Sequence, residues 1–283
     1  MTTTRSTFER KHPFLICVDS DGCAMDTMDI KHFRCFGPCM IEQWGLQQWQ
    51  EPLLERWNQV NLYSMTRGIN RFKALAILLT QIDQTLQPVA GIKAFALWAE
   101  TAPELSNSAL EALIPTLEVN RQVFEKALAW SKAVNASIKE LPEEEKRAFP
   151  GAPEGLKAAH SQADVAVVSS ANRQAVEEEW QKHGMLKYTD IVMAQDSGSK
   201  GACIKALLET GYAPDKVLMV GDAPGDLQAA VKNGVLYYPI LVRREAESWK
   251  RFVEEALPKL LSGDFAGEYQ QKLLDEFNAN LCK

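Results

Sequence analysis

Apolar residues recur along the chain in two rhythms, and the change between them divides it. The first rhythm is short and unbroken: Phe14, Leu15, Ile16, Cys17 and Val18 form a run that suits a strand buried on both faces of a sheet. It stops in charge, at Asp19 and Asp21 with Gly22 directly after. From Met28 the rhythm is helical, and helices are predicted over Met28–Trp44, Gln47–Val60, Ile69–Ile82, Gly91–Glu100, Ser106–Ile114 and Leu117–Ile138. In the last of these, Val123, Ala127, Leu128, Ser131, Val134 and Ile138 share one face. Gln87-Pro88, Ala102-Pro103 and Leu141-Pro142 punctuate the block.

Beyond Phe149-Pro150-Gly151-Ala152-Pro153 the short apolar runs return, now alternating with helices: Asp164–Ser169, Ile191–Ala194, Lys216–Gly221 and Val235–Tyr238. Such alternation implies crossover connections and a parallel sheet. The expected fold is therefore α/β, a Rossmann-like parallel-sheet core over residues 1–24 and 149–283, with an all-helical domain at 25–148 inserted after the first strand. A helical C-terminal extension follows from Arg243. One of its faces carries Trp249, Phe252, Val253, Ala256, Leu257, Leu260 and Leu261, and a second helix carries Leu273, Leu274, Phe277 and Leu281. These faces are expected to pack on the core or, alternatively, to form an intersubunit contact, so the chain reads as a monomer or homodimer.

Composition narrows the partners. A chain of 283 residues, 46% hydrophobic, can bury a sizeable core. Its net charge of −6 and lack of a long block of one sign argue against a nucleic-acid arm or a basic membrane surface. The run Glu143–Arg147 reads as a solvated helix face or linker. The amino-terminal MTTTRSTFERKHPF has no apolar stretch of signal-peptide length, and no segment reaches the roughly 18 apolar residues of a membrane span, so a soluble cytoplasmic protein is expected. The six cysteines read as free thiols; Cys35 and Cys39 share a helix side, but no second pair accompanies them as a zinc site would require. Five of the seven tryptophans, at 44, 49, 57, 98 and 130, fall in the inserted block and read as core.

The chemistry lies where the strands end, which in an open α/β sheet is where ligands bind. Asp19 and Asp21, two apart after the first run, repel each other unless a cation such as Mg²⁺ lies between them; an acidic turn is the plainer alternative. VAVVSSAN places Ser169 and Ser170 ahead of a helix beginning near Asn172, an arrangement that binds an anion or merely caps the helix. Lys200 falls at a helix start, where the macrodipole disfavours a cation unless an anion is near. KVLMVGDAPGD ends a strand in Asp222 and puts Asp226 in the first turn of the next helix, where dipole compensation alone could explain it. Together these groups describe a phosphoryl-transfer site, in which metal and lysine neutralise a phosphate so that a carboxylate can approach it.

At these four motifs, VDSDG, VVSSAN, the lysine of GSKGA, and GDAPGD, the chain resembles the haloacid dehalogenase-like superfamily, in the branch with a helical cap inserted after the first strand. The resemblance implies that Asp19 is the nucleophile and Asp21 the general acid and base. It implies that Ser169 binds the phosphoryl group with N–H help from around Gly22 and Ser170, and that Lys200 pairs with Asp19 and the phosphate. Mg²⁺ would be held by Asp19, the main-chain carbonyl of Asp21, and Asp222, with Asp226 acting through water. Cys23 stands where most relatives have Thr or Val, and the lysine segment lacks their Lys-Pro. DTMDIKHFRCF and TRGINRFKAL resemble cap segments, which makes His32, Arg67, Asn70 and Arg71 candidate substrate contacts; surface or intracap pairing is the other reading. The implied activity is a Mg²⁺-dependent phosphatase for a small phosphorylated metabolite. The alternatives are a sugar-phosphate phosphomutase using the same residues, a metal-free dehalogenase, and a catalytically silent binding protein of the same fold.

Overall fold

The computed structural model describes residues 8–282. The apolar runs form β1 (Leu15–Val18), β4 (Asp164–Val168), β5 (Ile191–Met193), β6 (Val217–Gly221) and β7 (Leu236–Pro239), and two shorter strands, β2 (Met25–Asp26) and β3 (Arg147–Ala148), stand apart. The five longer strands make one parallel sheet in the order β5-β4-β1-β6-β7, with β1 at its centre. All four residues of β1 are fully buried, as an unbroken apolar run requires when both faces are covered. Ile16, Val18, Val165, Val167, Leu218 and Val220 share a core with residues of the helices Ala152–His160 and Arg173–Lys182 and of the tail.

Chain order places β4 on one side of β1 and β6 on the other, so the crevice at the carboxyl end of β1 is the topological switch point of the sheet. Register sets the level of each strand end. Val18 pairs with Val167 and with Val220, which puts Asp19 level with Val168 and Gly221. Ser169 and Asp222 therefore lie one residue beyond Asp19 on the two flanking strands.

The described residues divide into two compact units. One comprises those up to Met28 together with those from Lys146 onward; the other is Asp29–Glu145. The sequence placed the boundaries at 25 and 148, and the difference is the β2–β3 pair. Met25 pairs with Ala148 and Asp26 with Arg147, antiparallel, so these residues join the α/β unit. Two-residue strands carry no periodicity to read.

The helical unit has its own core, in which Trp57 and Trp130 are fully buried around Phe36, Phe72, Phe95 and Phe124. Its helices include Gln50–Leu62, Arg71–Thr85, Ile92–Thr101 and Arg121–Lys139. The last starts four residues later than its periodicity predicts, because Ile114–Thr116 forms a separate 3₁₀ turn and Asn120 takes a left-handed φ of 58°. Asn is among the few residues that tolerate that conformation.

The tail packs on the α/β unit through Trp249, Phe252, Ala256, Leu257, Leu260 and Leu273. Its final helix, Glu268–Leu281, lies along the edge strand β7: Gln270 Oε1 accepts the Tyr237 N–H at 3.0 Å, and Phe277 meets the Tyr237 ring edge-on at 5.7 Å. Among the described residues no helix is long and apolar enough to cross a membrane.

Candidate active site

Asp19 leaves β1 with its N–H donated to the carbonyl of Val220, which continues the β1–β6 ladder and locks the residue at the strand end. Its side chain is almost fully buried. Lys200, the first residue of the helix Lys200–Leu208, reaches Asp19 Oδ2 with Nζ at 2.9 Å and Asp226 Oδ1 at 2.5 Å. The awkward cation at a helix amino terminus is thus compensated by two carboxylates, as its position demands.

Asp226 is fully buried in the first turn of the helix Pro224–Asn233, where its Oδ2 accepts the Ala223 N–H at 3.1 Å. It fits only because the residue before Asp222 is glycine: a Cβ on Gly221 would lie 2.5 Å from Asp226 Cβ, Cγ and Oδ2. Asp222 is buried beside them, and single oxygens of Asp19, Asp222 and Asp226 lie within 4.8 Å of one another.

Burial pushes the Asp19 carboxyl well above the usual carboxylate range; Lys200 opposes this, and the charges of Asp226 and Asp222 reinforce it. Burial acts to lower the Lys200 pKa, but Asp19 and Asp226 outweigh it and hold the ammonium charged. Three carboxylates are thus buried together, two of them paired with Lys200. A hard divalent cation with oxygen ligands, Mg²⁺ above all, matches this donor set.

Asp21 is less buried, and its Oδ1 accepts from Thr27 Oγ1 at 2.5 Å. Gly22 takes a φ of 82°, which makes glycine the natural residue there, and its N–H donates to the Met25 carbonyl at 2.8 Å. That N–H is committed to the turn, which corrects the expectation that Gly22 offers it to a phosphate. Ser169 is buried at the end of β4, and its Oγ accepts the Ala171 N–H at 3.1 Å, leaving the hydroxyl proton to donate elsewhere. Ser170 is exposed, and Asn172 caps the following helix through the Ala175 N–H at 3.3 Å.

The four residues expected to contact substrate lie in the helical unit. His32 Nδ1 accepts from Trp57 Nε1 at 2.9 Å and its ring stacks on Phe36 at 4.6 Å. The Arg71 guanidinium lies over the Phe36 ring, 4.9 Å from its centre, and donates to Ser131 Oγ at 3.0 Å and Asn135 Oδ1 at 2.7 Å. Burial lowers its pKa to about 10. Arg67 is buried and donates to the Leu62 carbonyl at 2.7 Å. Asn70 caps the helix Arg71–Thr85 through the Phe72 N–H at 2.9 Å. Cys35 and Cys39 are free thiols in the same unit, and the metal-capable group found among the described residues is the aspartate cluster.

Sequence reading missed Thr27 and Ala223 as partners of the acidic groups. Thr27 was legible in principle, as a hydroxyl six residues after Asp21; the N–H of Ala223 was not.

The site is thus a buried aspartate cluster with one lysine at the carboxyl end of a parallel sheet. The family of haloacid dehalogenase-like hydrolases matches residues 77–238, more than half of the chain, and the chain belongs to that family. The matched span contains Ser169, Lys200, Asp222 and Asp226 but begins after β1, so Asp19 and Asp21 rest on register and geometry. No curated protein matches this sequence. Among solved structures, a chain from Thermotoga maritima assigned as a β-phosphoglucomutase is similar with 16% identity and a TM-score of 0.50, over 87% of this chain and 99% of that one. A chain from Clostridium acetobutylicum assigned as a phosphatase is similar with 13% identity and a TM-score of 0.49, over 88% and 98%. A haloacid dehalogenase-like family hydrolase from Streptococcus pneumoniae is similar with 13% identity and a TM-score of 0.45, over 84% and 90%.

Proposed function

We propose that the protein is a Mg²⁺-dependent phosphatase of small phosphomonoesters that works through an aspartyl phosphate on Asp19. The observation that carries this reading is the bridge from Lys200 to Asp19 and Asp226 beside Asp222. A buried carboxylate next to a fixed ammonium at a strand end is a nucleophile whose approach to an anionic phosphate is electrostatically supported. Asp19, Asp222 and the main-chain carbonyl of Asp21 would hold the ion, with Asp226 acting from behind, since both its oxygens already accept hydrogen bonds. Bound there, Mg²⁺ would offset charge on the phosphoryl oxygens.

An Asp19 oxygen attacks phosphorus and the ester P–O bond breaks, while Asp21 as the acid gives its proton to the departing alkoxide. Asp21, now a carboxylate held by Thr27, then takes a proton from water. The water oxygen attacks phosphorus, the bond to Asp19 breaks, and inorganic phosphate leaves with Asp19 restored and Asp21 reprotonated. The Ser169 hydroxyl donates to the transferring group, with backbone N–H help near the exposed Ser170 and none from Gly22, whose N–H is held by Met25. The inserted position of Asp29–Glu145 in the chain supports reading it as a cap domain. Within it Arg71 is the strongest candidate for recognising an anionic substrate, because its charge is met by the neutral acceptors Ser131 and Asn135.

Release of phosphate from p-nitrophenyl phosphate with Mg²⁺, its loss in chelator, and its loss in Asp19→Asn test the reading. Undiminished hydrolysis by Asp19→Asn overturns it. Turnover of a sugar phosphate without free phosphate would instead indicate a mutase.

A further inference from the structure

The chain has seven tryptophans, and the two in the α/β unit, Trp180 and Trp249, both donate to the loop that carries Asp19 and Asp21. Trp180, on the helix Arg173–Lys182, gives its indole N–H to Ser20 Oγ at 2.9 Å. Trp249, on the helix Glu245–Arg251, gives its own to the Cys23 carbonyl at 2.9 Å. Both indoles and Ser20 are completely buried.

Ser20 stands between the two aspartates and organises the turn after them. Its carbonyl accepts the N–H groups of Cys23, Ala24 and Met25 at 3.3, 3.0 and 2.8 Å. A buried hydroxyl and a buried indole N–H each need a partner, and here each satisfies the other. Bulk alone could have been supplied by Phe or Leu; the indole adds a directed donor. The chain also clears space for one of the rings: a Cβ on Gly155 would lie 2.5 Å from Trp249 Cε3.

We propose that Trp180 and Trp249 are positioning residues that fix the Asp19–Asp21 loop from the core side, at its start through Ser20 and at its turn through Cys23. They touch no substrate and act through the loop. The proposal rests on the phosphatase reading for its kinetic consequence, since small displacements of a reacting group reduce rate strongly.

The test compares Trp180→Phe, Trp249→Phe, Ser20→Ala and the double variant Ser20→Ala/Trp180→Phe with Leu273→Ala, a buried tail residue of the same core whose side chain makes no hydrogen bond to the loop. With p-nitrophenyl phosphate and Mg²⁺, each tryptophan variant should lose about tenfold in kcat with KM within about twofold, and the double variant should be no slower than the slower single. Amide exchange of the peptide spanning residues 15–28 should quicken about tenfold in both tryptophan variants and stay at the parent rate in Leu273→Ala. Unchanged kcat with unchanged loop exchange overturns the proposal, as does quickening that Leu273→Ala reproduces. Should Trp180→Phe fail to fold, Ser20→Ala reads the same link with the indole in place, and Trp249→Phe reads the Cys23 link independently. If the parent hydrolyses no phosphate ester while the loop still loosens in the tryptophan variants alone, the anchoring stands and the phosphatase reading falls.

Discussion

The α/β unit and the helical unit bury polar groups for opposite ends. In the helical unit the buried polar residues are Asn61, Arg67 and Ser131, and the first two donate to main-chain carbonyls of Trp57 and Leu62. They complete the hydrogen bonding of the fold. In the α/β unit Asp19, Asp222 and Asp226 are buried together at one end of the sheet, where desolvation and mutual repulsion work against them. Folding alone does not favour such a cluster, which supports the proposal that this unit carries the chemistry.

The sharpest break between the two units is Asp19→Asn. It should lower kcat at least about a thousandfold, while thermal unfolding stays level or rises because a disfavoured buried charge is gone. Loss of both activity and fold would erase the contrast. In the helical unit Trp130→Ala removes a fully buried ring whose Nε1 donates to the Phe36 carbonyl at 3.1 Å. It should cost about 3–5 kcal/mol in denaturant unfolding. Gly221→Ala probes the packing beneath the site, since its Cβ would press on Asp226; about 1–3 kcal/mol of stability should go, together with activity as Asp226 shifts from Lys200.

The smallest effect contrasts the two ends of the sheet. Asp190 tends upward by burial, but Lys11 Nζ at 2.7 Å, the Val165 N–H at 2.9 Å and the charge of His160 overcome this and depress its pKa. A depressed carboxylate contributes stability that is full above its unfolded pKa and lost as pH falls through the folded one. Asp190→Asn should therefore be less stable than the parent at pH 7, and the gap should close in acid below about pH 4. Asp19, raised where Asp190 is lowered, contributes nothing of that kind.

Much of this was legible in the sequence because the strands are short, apolar and end in charge. The runs at Phe14–Val18, Asp164–Ser169, Ile191–Ala194, Lys216–Gly221 and Val235–Tyr238 became the five strands of the sheet to within one residue at each end. Asp222 and Lys200 were readable for the same reason, each standing where a strand or helix begins or stops. The β2–β3 pair was not, since two residues make no pattern. Nor was the commitment of the Gly22 N–H to Met25, because a glycine after two aspartates suits an anion site and a tight turn equally well. The partnership of Trp180 with Ser20 spans 160 residues of sequence, and nothing local announces it.

The final helix along β7 bears on how the protein behaves when damaged. A parallel sheet has two open margins, and at β7 Gln270 occupies the donor of Tyr237 that would otherwise await another strand. Proteolysis before Glu268 would uncover that margin and make it a template for strands of other chains. Clumping, more than lost catalysis, should be the first symptom of a clipped tail.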